Sequence, residues 1–304
     1  LTGSNSKLLN GTLADRLTGR YAEINIFPFS LKEILNYTKT TNGHIDQATI
    51  QLCLDQYLQN GGYPEIVVNK LEAQTYLRSL FDATINKDVF ARHSVRDFQK
   101  LNIIANYIAS NSGNEFTYRQ IANLDMPNHM VKSDKTVRKF LGYLEEAYLM
   151  HILGRFSLKQ KFQVSLKAPR KTYALDPGMA SVMQHSLGPA WGAKLETAVF
   201  DTLLNEYYLT KNLYYYHTRN KKEIDFIIKE NGKISQLIQV SFSLDDSKTL
   251  EREIVALIEA SQELYCDDLL IITSNNNQRI ERDGKIIKVV SFTNWVMTIG
   301  KDLE

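Results

Sequence analysis

Residues with chemical potential concentrate in one stretch, Lys221 to Leu244, which reads KKEIDFIIKENGKISQLIQVSFSL. Two apolar runs of β type flank a Glu230-Asn231-Gly232-Lys233 turn, and such a turn between alternating hydrophobic segments predicts a hairpin. Period-two alternation puts Glu223, Asp225 and Ile227 on one face of the first strand, and Leu237, Gln239 and Ser241 on one face of the second. Asp225, Gln239 and Ser241 are therefore expected to converge. The plain alternative for Asp225 is a strand-edge acid paired with Lys221 or Lys222.

This hairpin resembles metal-dependent phosphodiesterases of the PD-(D/E)XK type. There, a carboxylate on one strand, an acid-x-Lys on the next and a Glu on a preceding helix hold a divalent ion, and the lysine helps polarise the attacking water or the phosphate. Glu196, in the helical stretch LETAVF, completes the resemblance in order and spacing. The acid-x-Lys position, however, reads Gln239-Val240-Ser241. With Glu196 and Asp225 as the only anionic ligands, Mg²⁺ would be under-ligated, because it gives up water reluctantly and demands near-octahedral oxygen. The resemblance thus implies a degenerate nuclease fold, with no catalytic activity and no metal. The rival is an active metal-dependent DNA nuclease in which Glu223 supplies the missing acid. Nothing obvious replaces the lysine: Lys229 lies at the far end of that strand face, and Lys222 and Lys233 are no better placed.

The elements that must position these residues occupy 186–304. An amphipathic helix over 191–208 carries Glu196, NLYYYHTR is an aromatic strand, and the hairpin follows. A helix over 247–264 puts Leu250, Ile254, Leu257, Ile258 and Ser261 on one stripe. The strands DLLIITS and KIIKVVSF come next, and Trp295 closes a short helix. This α-β-β-β-α-β order with a further strand is the core of the restriction-endonuclease-like fold. His217 is expected as a core or edge histidine rather than a phosphate contact. The other histidines, at 44, 93, 129, 151 and 185, show no ligand spacing.

Residues 101–185 read as a winged helix-turn-helix. LNIIANYIAS is an apolar helix, FTYRQIANLD a short helix capped by Thr117 with Gln120 in the box position, and SDKTVRKFLGYLEEAYLM a longer helix capped by Ser133 or Asp134. The strand-like segments MHILGRF and RKTYALD follow. Lys135, Arg138 and Lys139 lie where a recognition helix meets phosphates and base edges, and Arg155, Lys159, Lys161, Lys167, Arg170 and Lys171 crowd the wing. Double-stranded DNA is the expected partner. The competing reading is a packing module whose lysines are solvated.

The first 100 residues resemble part of a bacterial and archaeal family of AAA-like P-loop ATPases. The phrases that carry the resemblance are the Thr2-Gly3-Ser4 turn, ADRLTGRY, PFSLKEIL and the Gly61-Gly62-Tyr63-Pro64-Glu65 turn. It implies the end of a nucleotide-binding domain over 1–37, with a strand at YAEINIFPF, and a helical lid and bridge over 38–100. It also implies sensors at Ser4 or Asn5, arginines Arg16 and Arg20 facing nucleotide or a neighbouring subunit, and homo-oligomerisation through the ATPase part. Alternatively Arg16 and Arg20 are solvated helix-end cations. No G-x-x-x-x-G-K-[ST] occurs in the 304 residues, and the Gly-Lys pairs at 232, 284 and 300 are followed by Ile or Asp. ATP and Mg²⁺ are therefore expected for a longer parent protein, of which this is a C-terminal portion, and not for this chain alone.

Composition sets the outer bounds. The 304 residues are 43% hydrophobic and 23% charged, which suits ordinary globular material in two or three domains. A net charge of +2 gives no bulk argument for nucleic acid. No apolar run approaches the roughly 18 residues a membrane span needs. Cys53 and Cys266 are far apart in apolar contexts and are expected as buried thiols in a reducing cytoplasm. The expected whole is an α/β and α+β multidomain chain acting in partner or DNA recognition; a non-enzymatic winged-helix DNA-binding protein is the other alternative.

Overall fold

Ser30 starts the first helix of the structure, a computed structural model that describes residues 24–124, 133–158, 167–183, 190–207 and 212–299. Its hydroxyl accepts from the Glu33 amide at 3.3 Å, and the Glu33 carboxylate accepts from the Ser30 amide at 2.8 Å. This capping box satisfies two of the orphan donors at the N-terminus of α1 (Leu31–Asn42). The helix runs through the expected division at residue 37. The strand expected over 21–29 does not form in its described part. Residues 24–29 are irregular, Ile24 and Ile26 are exposed, and the Phe29 amide donates to the Gly62 carbonyl at 2.8 Å. Alternation marks a segment able to pair, but a strand needs a neighbouring ladder, and no described strand lies beside this one.

The turn at Gly61-Gly62 ends α2 (Gln47–Asn60) and ties distant segments together. Gly61 has a φ of 77°, and a Cβ there would fall 1.9 Å from Asp176 Oδ1; a Cβ on Gly62 would fall 1.9 Å from the Phe29 carbonyl oxygen. Only glycine tolerates both the conformation and the approach. Asp176 accepts from the Gly62 amide at 2.7 Å and from the Met179 amide at 3.0 Å, so it also holds the start of α8 (Pro177–Met183). Burial pushes the Asp176 carboxyl up to about 7, against the pull of its backbone donors.

Between these lie α3 (Pro64–Val67), α4 (Ala73–Thr84) with a π-helical continuation over Ile85–Ala91, and α5 (Phe98–Ser110). Next come β1 (Glu115–Phe116), α6 (Tyr118–Ala122), α7 (Asp134–Glu146), β2 (Met150–Gly154) and β3 (Arg170–Ala174). Thr117 and Gln120 form the capping box of α6, and Ser133 caps α7. The three strands make an antiparallel sheet in the order β1-β3-β2.

The C-terminal elements are α9 (Trp191–Tyr207), β4 (Asn212–His217), β5 (Glu223–Glu230), β6 (Lys233–Val240), α10 (Ser247–Leu264), β7 (Leu269–Thr273), β8 (Gln278–Arg282), β9 (Lys285–Ser291) and α11 (Phe292–Val296). They build a six-stranded mixed sheet in the order β4-β5-β6-β7-β9-β8, in which β6, β7 and β9 are parallel. The expected hairpin turns through Asn231 and Gly232, both at positive φ, the conformation that favours Asn-Gly. Phe226 and Ile238 pack in one core with Phe200 of α9 and with Leu54 and Leu58 of α2; Ile227 and Leu237 pack in another with Leu257 of α10. The sheet is thus a middle layer between helices, a mixed α/β architecture. β8 was not foreseen, because it is an edge strand of mostly polar, exposed residues without the alternation that marks a half-buried one. Cys53 and Cys266 are buried free thiols. Among the described residues, no helix is long and apolar enough to cross a membrane.

Asp201 of α9 is 6% exposed, and neither carboxylate oxygen has a hydrogen-bond partner. Burial, with the charge of Asp176 second, raises its pKa well above the ordinary 3.8. The folded chain therefore keeps a proton that the unfolded chain releases, and the resulting stability falls as pH rises above the ordinary carboxylate range. Asp201→Asn is expected to gain stability relative to wild type between about pH 5 and about pH 8, by about 1.4 kcal/mol per pH unit at most. Urea midpoints at both pH values check this, and a gap that stays flat or narrows contradicts the buried neutral acid.

Candidate functional site

β3 presents Lys171 and Tyr173 at period-two spacing, and both are buried despite their polar ends. Lys171 is 2% exposed. Its Nζ lies 2.9 Å from Glu196 Oε1 on α9, 2.6 Å from Glu223 Oε1 and 3.8 Å from Asp225 Oδ1, both on β5. The Tyr173 hydroxyl donates to Glu196 Oε1 at 2.7 Å, and the Tyr215 ring stands 5.7 Å from the ammonium. One lysine from the three-stranded sheet thus enters the carboxylate cluster of the six-stranded sheet.

Local contacts fix that insertion. The Gly113 amide donates to the Thr172 carbonyl at 2.7 Å, and the Ala174 amide donates to the Ser112 hydroxyl at 3.2 Å. Ser112 also meets the Thr197 hydroxyl at 3.3 Å, which ties the turn after α5 to the α9 residue beside Glu196.

Gln239 converges with Asp225, as alternation predicts, but as a structural cross-link. Its Oε1 accepts from the Asp225 amide at 2.8 Å, and its Nε2 donates to the Glu223 carbonyl at 3.0 Å and to Glu253 Oε2 at 2.6 Å. Asp225 Oδ2 accepts from the Val240 amide at 2.8 Å. A carboxylate in place of Gln239 would face two acceptors with no hydrogen to give, so the amide fits this position and an acid does not. Ser241 does not join the site: it lies beyond the end of β6, and its hydroxyl donates to the Ser243 carbonyl at 2.8 Å. Strand alternation no longer applies there.

The charges settle accordingly. Burial raises the Asp225 carboxyl well above its ordinary range, and Glu196 adds to this more than Lys171 subtracts. Burial opposes the charged form of Lys171, but the negative groups around it hold its pKa above the ordinary value. Glu223 is held down to about 2: burial works against this, while the hydrogen bond from His217 and the Lys171 charge outweigh it. His217 Nε2 lies 2.9 Å from Glu223 Oε2 and 3.5 Å from Glu115 Oε1, so His217 is an edge-strand histidine that faces two glutamates.

As a divalent-metal nuclease centre the arrangement does not fit. The ammonium lies among the carboxylates, and the Gln239 amide is fully engaged. Sequence reasoning assigned Lys171 to the basic wing and missed it as the replacement cation. The signal was its place two residues before Tyr173 in the strand RKTYALD, since a lysine alternating with an aromatic in an apolar strand is buried or covered.

The other expected residues divide. Lys135, Arg138 and Lys139 on α7 line one groove of about 1060 Å³ with Tyr118, Arg119, Tyr143 and Lys167. Arg170 stacks its guanidinium 5.0 Å from the Tyr118 ring. Arg155 does not line that groove; it bridges to Tyr215 at the junction of the two sheets. Ser4, Asn5, Arg16, Arg20, Lys159 and Lys161 lie outside the described residues.

Removing the ammonium leaves buried acids unpaired, so Lys171→Ala is expected to destabilise the fold by roughly 3–5 kcal/mol in urea unfolding. A loss below about 1 kcal/mol contradicts a held ion cluster. The sign for Glu223 is opposite to that for Asp201. Its folded pKa lies below the ordinary 4.5, so its stabilisation is present above that value and is lost as pH falls through about 2.

Comparison with known proteins gives three consecutive domain matches. Residues 1–35 match an AAA domain, residues 51–189 a domain of unknown function (DUF8612), and residues 191–295 a domain of unknown function (DUF4143). An uncharacterized protein of Methanocaldococcus jannaschii is 32% identical over 310 residues, covering 98% of this chain and 68% of the relative. An uncharacterized protein of Haemophilus influenzae is 28% identical over 298 residues, covering 98% and 70%. Among solved structures, a refined half-complex from a tetradecameric assembly of Thermococcus gammatolerans McrB AAA+ hexamers with bound McrC aligns at 10% identity and a TM-score of 0.27. That alignment covers 62% of this chain and under half, 47%, of the other, a likeness too slight to bear on the fold. On the archaeal match, the chain belongs to the family of that uncharacterized archaeal protein, and its first 35 residues match an AAA domain.

Proposed function

We propose that this chain is part of an AAA-type ATPase, in which a winged helix-turn-helix and a restriction-endonuclease-like domain form a catalytically inert recognition arm. ATP and Mg²⁺ belong, on this reading, to the whole protein, whose nucleotide-binding domain ends in the segment matching the AAA domain. The observation that carries the inert arm is the Lys171 ammonium among Glu196, Glu223 and Asp225. A fixed organic cation stands among these three acids, where a nuclease metal would have to sit. It offers no open coordination position and no Lewis acid for a phosphodiester.

The test is a cleavage assay on plasmid and linear DNA with Mg²⁺ or Mn²⁺. The expected result is no cleavage by the wild type beyond that of Asp225→Ala. Metal-dependent cleavage that disappears in Asp225→Ala overturns the reading and favours the active nuclease.

A second element of the arm is contact with double-stranded DNA through α7, supported by a groove in which Lys135, Arg138, Lys139 and Lys167 outnumber the acids Asp134 and Glu146, the former paired with Arg119. Cations on phosphates make binding weaken steeply with salt. Alanine at all three α7 positions is expected to weaken a gel shift by more than about tenfold at about 0.1 M salt and to flatten the salt slope. A shift unchanged in that triple variant removes DNA recognition by this helix.

A further inference from the structure

Glu115 on β1, His217 at the end of β4 and Glu223 at the start of β5 bring three ligand-type side chains from two sheets to one point. One ligand atom from each lies within 4.8 Å of the others. His217 Nε2 is 2.9 Å from Glu223 Oε2 and 3.5 Å from Glu115 Oε1. Around a tetrahedral zinc ion with bonds of about 2.0–2.2 Å, neighbouring donors stand about 3.3 Å apart. The side chains therefore already hold nearly the spacing of a ligand set.

Two further observations point to a cation. The first is charge. Glu115 and Glu223 both face His217, and the Lys171 ammonium that contacts Glu223 is shared with Glu196. The second is Tyr215, which is fully buried with its ring 5.8 Å from the His217 ring. Its buried hydroxyl makes no hydrogen bond of normal geometry and lies within reach of the Glu115 carboxylate. A donor held unpaired beside a ligand carboxylate is placed to steady that carboxylate on an ion.

We propose that Glu115, His217 and Glu223 bind a divalent transition ion of the zinc type that joins the three-stranded sheet to the six-stranded sheet. One imidazole and two carboxylates suit zinc and its neighbours in the first transition row, whereas Mg²⁺ and Ca²⁺ take oxygen. The site uses neither Glu196 nor Asp225, shares Glu223 with the Lys171 cluster, and holds whether or not the chain contacts DNA. Glu223 serves both centres, turning Oε1 to the Lys171 ammonium and Oε2 to the ion position. The ion would thus reinforce the joint that Lys171 already makes, and three protein ligands leave a fourth position for water.

The test titrates the full chain with Zn²⁺ and, separately, with Co²⁺, whose visible absorption reports tetrahedral coordination. The expected result is one equivalent bound, a Co²⁺ band of tetrahedral intensity, and a rise in melting temperature with Zn²⁺. His217→Ala and Glu115→Gln should each weaken binding by more than about tenfold, the scale at which even supporting shells act. Glu115 is exposed and Glu115→Gln keeps its shape, so this variant is read even if His217→Ala fails to fold. Binding that persists unchanged in Glu115→Gln overturns the proposal, as does a wild-type chain that takes up no ion. Either result leaves the three side chains as a polar contact between the sheets.

Discussion

The burial of one ammonium between two sheets is the constraint on which the C-terminal half depends. Lys171 cannot be withdrawn from water unless acids meet it, and Glu196 and Glu223 cannot be partly buried together unless a cation meets them. Each side of the joint is therefore unfavourable alone. Association of the three-stranded sheet with α9 and β5 removes both penalties at once. Asp225 shows the limit of this compensation, since burial and the neighbouring glutamate favour its neutral form.

A second constraint governs the helical part by the same logic of an acid meeting donors. Asp176 accepts from the amides of Gly62 and Met179, and the glycines at 61 and 62 let the chain come close enough for it. The family-like Gly-Gly-Tyr-Pro-Glu turn thus has a packing reason. It is where the end of α2, the start of α8 and the segment at Phe29 meet.

Much of this was legible in the residues, and the misses have physical causes. The Asn-Gly hairpin, the caps at Ser30, Thr117 and Ser133, and the meeting of Asp225 with Gln239 followed from local chemistry. Lys171 was not legible, because the sequence shows a basic run and does not show which lysine turns inward; that depends on a contact with α9, 25 residues away in sequence. The engagement of Gln239 with Glu253 was hidden for the same reason. Ser241 was misplaced because alternation was carried past the end of its strand. The segment at residues 24–29 was misread because pairing requires a partner that alternation does not supply.

An acid cluster filled by a lysine from the adjoining sheet makes a charged joint between the two sheets. Such a joint would let the three-stranded sheet and the mixed sheet move as one body. The most direct measurement is a double-mutant cycle in urea unfolding with Lys171→Met, Glu196→Gln and the pair. A coupling energy above about 0.5 and up to about 3 kcal/mol is predicted, the range for residues in one charged network. Additivity within about 0.5 kcal/mol would mean that the ammonium and the carboxylate do not depend on each other, and the joint would have to rest on apolar packing instead.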